Sequence, residues 1–239
     1  MPSEGIRDPL GACRVISALY EELTELGYGI AQGSDLNVLN EIKLEARGER
    51  VGAFHDPDVT SLPPERFFWL SLADQSKKVV ALQALRLDIV DTSLSDWAQN
   101  YTIGLYMRRQ ELLVPAHTSP PKGSIAERLK GRLAYHGELW VDKSVKNRRI
   151  SEAFGRLGML LGLVKWQPDA IWGLVAQSMA THGHVTRIGY SYLERGFFRW
   201  QMQSDGIDPI EWIAIAERPA LEALVDEMLT TEQPGKRAK

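Results

Sequence analysis

The chain has a single cysteine, Cys13, so an internal disulfide is excluded, and no Cys-x-x-Cys pair or Cys/His cluster offers a zinc site. No metal centre is expected, and a reducing compartment fits. Uninterrupted apolar runs are short of the roughly eighteen residues that a bilayer-spanning helix needs, and Met1 to Asp8 lacks the apolar core of a signal peptide. The expectation is a soluble, cytoplasmic protein with no membrane contact. An excess of one charge is missing too: 28 basic and 31 acidic residues give a net charge of −3, so no global field draws the chain to nucleic acid. The one basic run, Val145 to Arg149, is too small for the several phosphate contacts a duplex requires. Internal repeats and low-complexity segments are also lacking.

What is present is a 239-residue chain long enough to bury a sizeable core. Asp8 followed by Pro9 reads as a cap and first turn, and Val15, Ile16, Leu19, Tyr20, Leu23 and Leu26 recur as one face of a helix closing at Gly27 or Gly29. Ser34 or Asp35 caps a second, weaker helix carrying Leu36, Leu39, Ile42 and Leu44. Gly48 to Pro64 is then a loop or linker. Residues 1–66 are therefore read as N-terminal helices and a linker, packed on a core domain spanning 67–229. Within that domain, Phe67 to Ala73 and Val79 to Val90 form a hairpin across the polar turn Asp74-Gln75-Ser76-Lys77-Lys78. A helical insert follows over 91–137. Its cues are Ser93 or Ser95 as caps, and Ser124 with Glu127 as a capping box ahead of Leu129 and Leu133.

Leu139, Trp140 and Val141 form a short β-prone run. Ile150, Ala153, Phe154, Leu157, Leu160, Leu161 and Val164 then recur at three and four residues, which is one helix face. The loop between carries Lys143, Lys146, Arg148 and Arg149 and delivers them to a helix N-terminus, where free amides and the helix dipole favour anions. A phosphate site and a solvated basic turn both fit that pattern. Ile171 to Ala176 reads as a strand after a helix, Met179 to Arg195 as a further helix stopped by Gly196, and Phe197 to Gln203 with Glu211 to Ala216 as a second hairpin. Pro219 to Leu229 reads as a closing helix and 230–239 as a disordered tail.

The order hairpin, central strand, basic loop and apolar helix, closed by Tyr192-Leu193-Glu194-Arg195-Gly196-Phe197, resembles the GNAT superfamily of acyl-CoA-dependent N-acyltransferases. That family joins its central strand to a long helix through an Arg/Gln-x-x-Gly-x-Gly/Ala loop, and it has a Tyr-Glu-Lys-x-Gly-Phe run later. In this chain Lys146 takes the leading basic position and Ser151 the final small one. Asn147 and Arg149 stand where glycines are common, so the loop is degenerate. A clear first strand is missing from the pattern.

The resemblance implies an α/β (α+β) fold with a mixed, mostly antiparallel twisted sheet flanked by helices, the insert lying between the hairpin and the central strand. It implies an N-acetyltransferase that takes acetyl-CoA, or another acyl-CoA, as co-substrate and acts on an amine by direct attack in a ternary complex; a catalytically inactive GNAT-like binding module is the alternative. Val141, Lys143, Val145, Lys146, Asn147, Arg148, Arg149, Ile150 and Ser151 would hold the cofactor, with the acyl carbonyl on an amide between Trp140 and Lys143. Tyr192, with Tyr190 as fallback, would protonate the leaving thiolate, and Glu138, ahead of Asp142, would take the amine proton. His182 and His184 lack a third metal ligand, and His117 and His136 are candidates to line a substrate cleft. A homodimer is left open.

Overall fold

The computed structural model describes residues 5–110, 120–199 and 210–231. Residues 111–119 with His117, the turn of the second hairpin and all but the start of the expected tail lie outside the described residues. Helix α1 spans Pro9–Glu25, with the Asp8 carboxylate accepting from the Gly11 amide, and α2 spans Leu36–Arg47, capped by Asp35 and closed by Gly48 in the left-handed region at φ 70°. Between them lies β1, Gly29–Gly33, which the sequence reading did not anticipate. Its five residues carry two glycines and little apolar bulk, so local pattern is silent. The strand exists because it pairs with β2, where a Cβ on Gly33 would stand 2.4 Å from the Trp69 ring.

Strands β2 (Phe67–Ala73) and β3 (Val79–Val90) form the expected hairpin, its turn held by Asp74 Oδ1 accepting from the Ser76 and Lys78 amides. In the insert, α3 (Leu94–Trp97), a π turn over Ala98–Thr102 and α4 (Ile103–Arg108) run on from one another. The predicted helix after Ser124 is only a 3-10 turn, Ile125–Glu127. Strand β4 already begins at Gly131 and runs to Val141, so the insert ends earlier than the 137 expected. Leu133 and Tyr135 turn to one side and Ala134 to the other, a period of two that Arg132 and His136 obscured in the sequence.

Helix α5 is Arg148–Trp166 and β5 is Ala170–Val175. The helix expected over Met179–Arg195 is instead α6 (Gln177–Thr181), α7 (His184–Ile188) and the start of β6 (Tyr192–Arg199). Two glycines explain the correction: Gly183 and Gly189 sit at φ 69° and 128°, and each breaks the helix. Gly196 does need its positive φ of 92°, but for a bulge in β6 rather than a helix end. Strand β7 (Ile210–Glu217) and helix α8 (Arg218–Thr231) complete the described chain.

Among the described residues the sheet has seven strands in the order β1-β2-β3-β4-β5-β7-β6, and every pair is antiparallel except β4 with β5. This is the mixed, mostly antiparallel, helix-flanked sheet that was expected. α1, α5 and α8 cover one side, packing Val15, Leu19, Leu23, Phe154, Leu157 and Leu221 onto Leu70, Leu85, Ala134 and Ile171. The other side is filled by α3, α4 and the segment from Val51 to Thr60. That segment is no linker, because Phe54 is buried and stacks on Tyr135 at 4.1 Å between ring centres. Buried Arg86 ties it down, donating to the Phe54 carbonyl at 2.7 Å and to both oxygens of Asp88.

Candidate active site

Two irregularities in β4 create the site. The first is its parting from β5: the parallel ladder joins Leu133–Tyr135 to Ala170–Trp172 and stops there, although β4 continues for six residues and β5 for three. At the fork Gly173 is required, since a Cβ there would stand 2.7 Å from the His136 carbonyl oxygen. Beyond the fork the strands diverge around a cavity of about 330 Å³ lined by His136, Glu138, Trp140, Leu174, Tyr190 and Glu211, among others. A second cavity, about 610 Å³, is lined by Trp140 to Lys143, Val145, Asn147, Arg148 and Ser151. Arg47, Leu139, Trp140, Met179 and Ile188 line both, so the two form one groove from the fork to the start of α5.

The second irregularity is a bulge. Leu82 pairs with Trp140 and Ala84 with Gly137, so Glu138 and Leu139 face the single residue Gln83, and Glu138 adopts φ 56°. This turns the Glu138 carboxylate into the protein. It accepts from Lys43 Nζ at 2.7 Å and from the Gly52 amide at 2.7 Å, with His55 Nδ1 at 3.5 Å. Burial alone would raise its pKa, but its hydrogen-bond partners and the Lys43 charge outweigh that and hold it at about 2. So stable an anion binds a proton poorly at neutral pH. The geometry makes Glu138 the anchor of α2 and the Val51–Thr60 segment rather than an effective base. Asp142 is a turn residue at the surface, accepting from the Ser144 amide at 2.8 Å, with Lys78 Nζ 3.9 Å away.

The loop reaches α5 without glycine. Every positive φ among the described residues lies outside Lys143–Ser151. Asn147 adopts an extended conformation (φ −81°, ψ 109°) and its side chain caps the Arg149 amide at 3.1 Å, while Ser151 Oγ donates back to the Arg148 carbonyl. Among the described residues no acceptor within the chain meets the amides of Lys146, Asn147 and Arg148. Lys143, Val145, Asn147, Arg148 and Ser151 line the groove; Lys146, Arg149 and the buried Ile150 do not. Asp142 donates its amide to the Val80 carbonyl at 2.7 Å. In an antiparallel pair alternate residues direct their polar groups to opposite edges, so Val141 presents its amide to the parted edge.

The two tyrosines separate. Tyr192 lies in β6 and packs with the Phe54 and Trp172 cluster, whereas its neighbour Leu193 turns to the α5 side. Its hydroxyl donates to Glu194 Oε2 at 2.8 Å, and it lines a different cavity beside Ser124, Ile125 and Arg128. The structure therefore does not bring Tyr192 together with Glu138. Tyr190 is the one of the two that lines the groove, 4% exposed, its hydroxyl 2.9 Å from His136 Nδ1. His136 Nε2 lies 2.9 Å from Gln83 Oε1, and Gln83 Nε2 donates to the Phe154 carbonyl of α5 at 2.6 Å. Burial keeps His136 neutral, with a pKa of about 3, and pushes the Tyr190 phenol up.

Sequence reading missed Gln83, although a glutamine inside Val-Val-Ala-Leu-Gln-Ala-Leu is a polar group that a buried strand must satisfy. Helix α5 admits it only because residue 158 is glycine: a Cβ there would lie 2.2 Å from Gln83 Oε1. Gly158→Ala is expected to cost about 1–3 kcal/mol by overpacking. Urea unfolding measures it, and an unchanged midpoint would refute the fit. Among the described residues no group of three or more His, Cys, Asp or Glu side chains assembles to hold a metal, and no helix is long and apolar enough to cross a membrane. His182 and His184 lie at the ends of the short helices, and His184 is 3.0 Å from Arg187.

No family model and no curated protein matches the chain. Among solved structures it is similar to a mosquito arylalkylamine N-acetyltransferase-like protein, 5b (10% identity, 79% of this chain and 100% of that one, TM-score 0.47). It is likewise similar to Arabidopsis thaliana NAA60 in complex with acetyl-CoA (13%, 79% and 99%, 0.44). A third is a GNAT superfamily phosphinothricin acetyltransferase from Sinorhizobium meliloti in complex with acetyl-CoA (8%, 80% and 88%, 0.38). At these values the likeness is one of general chain course, and the site is read from its own residues.

Proposed function

We propose that the protein is an acyl-CoA-dependent N-acyltransferase, with acetyl-CoA the simplest donor, transferring the acyl group directly to an amine. The observation that carries this reading is the fork between β4 and β5, opening into a groove that ends at the N-terminus of a 19-residue helix. The extended, amide-containing pantetheine arm of CoA fits between parted strands because each offers it unused backbone hydrogen bonds. The groove's apolar wall of Leu139, Val141, Val145 and Ile188 suits such a chain. Lys143, Arg148 and the amides opening α5 suit a pyrophosphate at its end.

In this reading the Val141 amide points at the reacting carbonyl and stabilises the oxygen that becomes negative as the amine attacks. The nitrogen–carbon bond forms and the carbon–sulfur bond breaks. The proton shed by the amine nitrogen balances the one taken up by the departing thiolate. Of the two candidate tyrosines, Tyr190 lines this groove and Tyr192 another cavity, which favours Tyr190 as the one that meets the substrate. The amine acceptor enters by the 330 Å³ cavity, under Lys43, Arg47 and Glu211.

Titration calorimetry with acetyl-CoA and CoA tests the proposal: both are expected to bind, and silence at millimolar ligand overturns it. A second reading, a GNAT-like binding module without turnover, draws on the Glu138 carboxylate being held in an ion pair with Lys43. Acetyl-CoA binding with no acetylation across a panel of primary amines would select it.

A further inference from the structure

We infer that Gln83 sets the direction of the buried chain Gln83–His136–Tyr190, so that Tyr190 meets the acceptor amine as a hydrogen-bond acceptor. Gln83 and His136 are then positioning residues of the reaction proposed above, on which this assignment rests. The direction follows from one fixed point. The Phe154 carbonyl can only accept, so the Gln83 atom 2.6 Å from it is the amide nitrogen, and the atom facing His136 is the carbonyl oxygen. That oxygen, 2.9 Å from His136 Nε2, accepts, so Nε2 carries the imidazole hydrogen. His136 is buried and neutral, hence Nδ1 holds a lone pair, and the Tyr190 hydroxyl 2.9 Å away donates to it.

The hydroxyl's only hydrogen is thereby committed, and what Tyr190 Oη has left is lone pairs. For an amine substrate that choice decides reactivity. A tyrosine donating into the cavity would tie up the nitrogen lone pair, the nucleophile itself. One that accepts takes an N–H instead and leaves the lone pair free to meet the thioester. The site therefore favours primary or secondary amines and rejects acceptors with no N–H to give. Gly158 belongs to the same device, since only a residue without Cβ lets Gln83 reach the helix carbonyl. The charged groups lining this cavity are Lys43, Arg47, Glu138 and Glu211, and buried His55 adds to the field on His136.

Nitrogen NMR of the ¹⁵N-histidine-labelled full-length protein tests the direction without any ligand. His136 is expected as the neutral Nε2–H tautomer over the pH range in which the protein is folded. In Gln83→Met nothing accepts from Nε2–H, so the His136 signals should spread over both tautomers, and where Nδ1 carries the hydrogen the Tyr190 hydroxyl turns round to donate into the cavity. With acetyl-CoA and butylamine as probes, that variant is expected to raise KM for the amine several-fold, toward the roughly tenfold of one lost hydrogen bond, while KM for acetyl-CoA stays within about twofold. Should Gln83→Met fail to fold, Gln83→Leu removes the same acceptor and is expected to give the same spread. An Nδ1–H tautomer in the parent, or a folded Gln83→Met protein with His136 still wholly Nε2–H and unchanged amine KM, overturns the assignment. A parent that acetylates no amine counts against the acyltransferase reading, whereas the tautomer in the free protein decides the chain's direction by itself.

Discussion

Lys43→Met is expected to destabilise the fold by about 3–5 kcal/mol, because it strips the counter-ion from a buried carboxylate. The Lys43 and Glu138 side chains are only 13% and 6% exposed, so water cannot take the lysine's place. The same pair makes stability depend on pH. Glu138 is held at about 2 in the folded protein against an ordinary 4.5 when unfolded, so the unfolded chain binds the proton more readily. Its contribution, on the order of 3 kcal/mol, is complete above the unfolded value and is lost as the pH falls from there toward 2. Urea unfolding at neutral pH and across the acid range measures both effects. A midpoint in Lys43→Met equal to the parent's, or an acid limb unchanged in Glu138→Gln, would show that the ion pair is idle. Lys43→Met/Glu138→Leu should recover part of the loss, since a neutral pair leaves no stranded charge.

The largest expected effect on binding is that of Lys143→Ala/Arg148→Ala on acetyl-CoA. Each charge-assisted hydrogen bond to a pyrophosphate contributes about 1.5–3 kcal/mol, so affinity should fall by roughly two to four orders of magnitude. The control is Lys146→Ala/Arg149→Ala. Those residues carry the same charge at the same helix end but do not line the groove, so a change of about threefold or less, the scale of a screened surface charge, is expected. Calorimetry at fixed ionic strength separates the two. Equal losses in both double variants would mean that general charge, not the groove, attracts the ligand, and the pyrophosphate would then have to be sought elsewhere.

Which parts of this molecule were legible in its sequence follows from how local their causes are. Helix α5 declared itself by its apolar spacing, α1 and α2 by Asp8 and Asp35, and the β2–β3 hairpin by two β-prone runs around an Asp-led turn. The basic loop was visible as charge ahead of a helix, and it is half in the groove. Strand β1 was hidden because its partner β2 lies beyond a helix and a long loop, and the first half of β6 was read as helix because a tyrosine such as Tyr192 reads alike on a helix or a strand. The surroundings of Glu138 and Tyr192 escaped the sequence for related reasons. A single-residue bulge turned Glu138 toward Lys43, and two glycines converted the expected helix into a strand that carries Tyr192 to another cluster. Neither event leaves a periodic trace. The Gln83–His136–Tyr190 chain joins three elements, so only its polar members inside apolar strands hinted at it.

The fork between β4 and β5 gives the sheet, in effect, four edges rather than two. The outer pair belongs to β1 and β6. β1 is held to five residues and bounded by glycine, as suits an edge that must not recruit another chain. The inner pair lies in the middle of the sheet, walled by α2, α6 and α7, where no foreign strand can lie flat against it. Backbone groups there can stay unpaired without inviting aggregation, and only a slender, single-stranded guest can complete them.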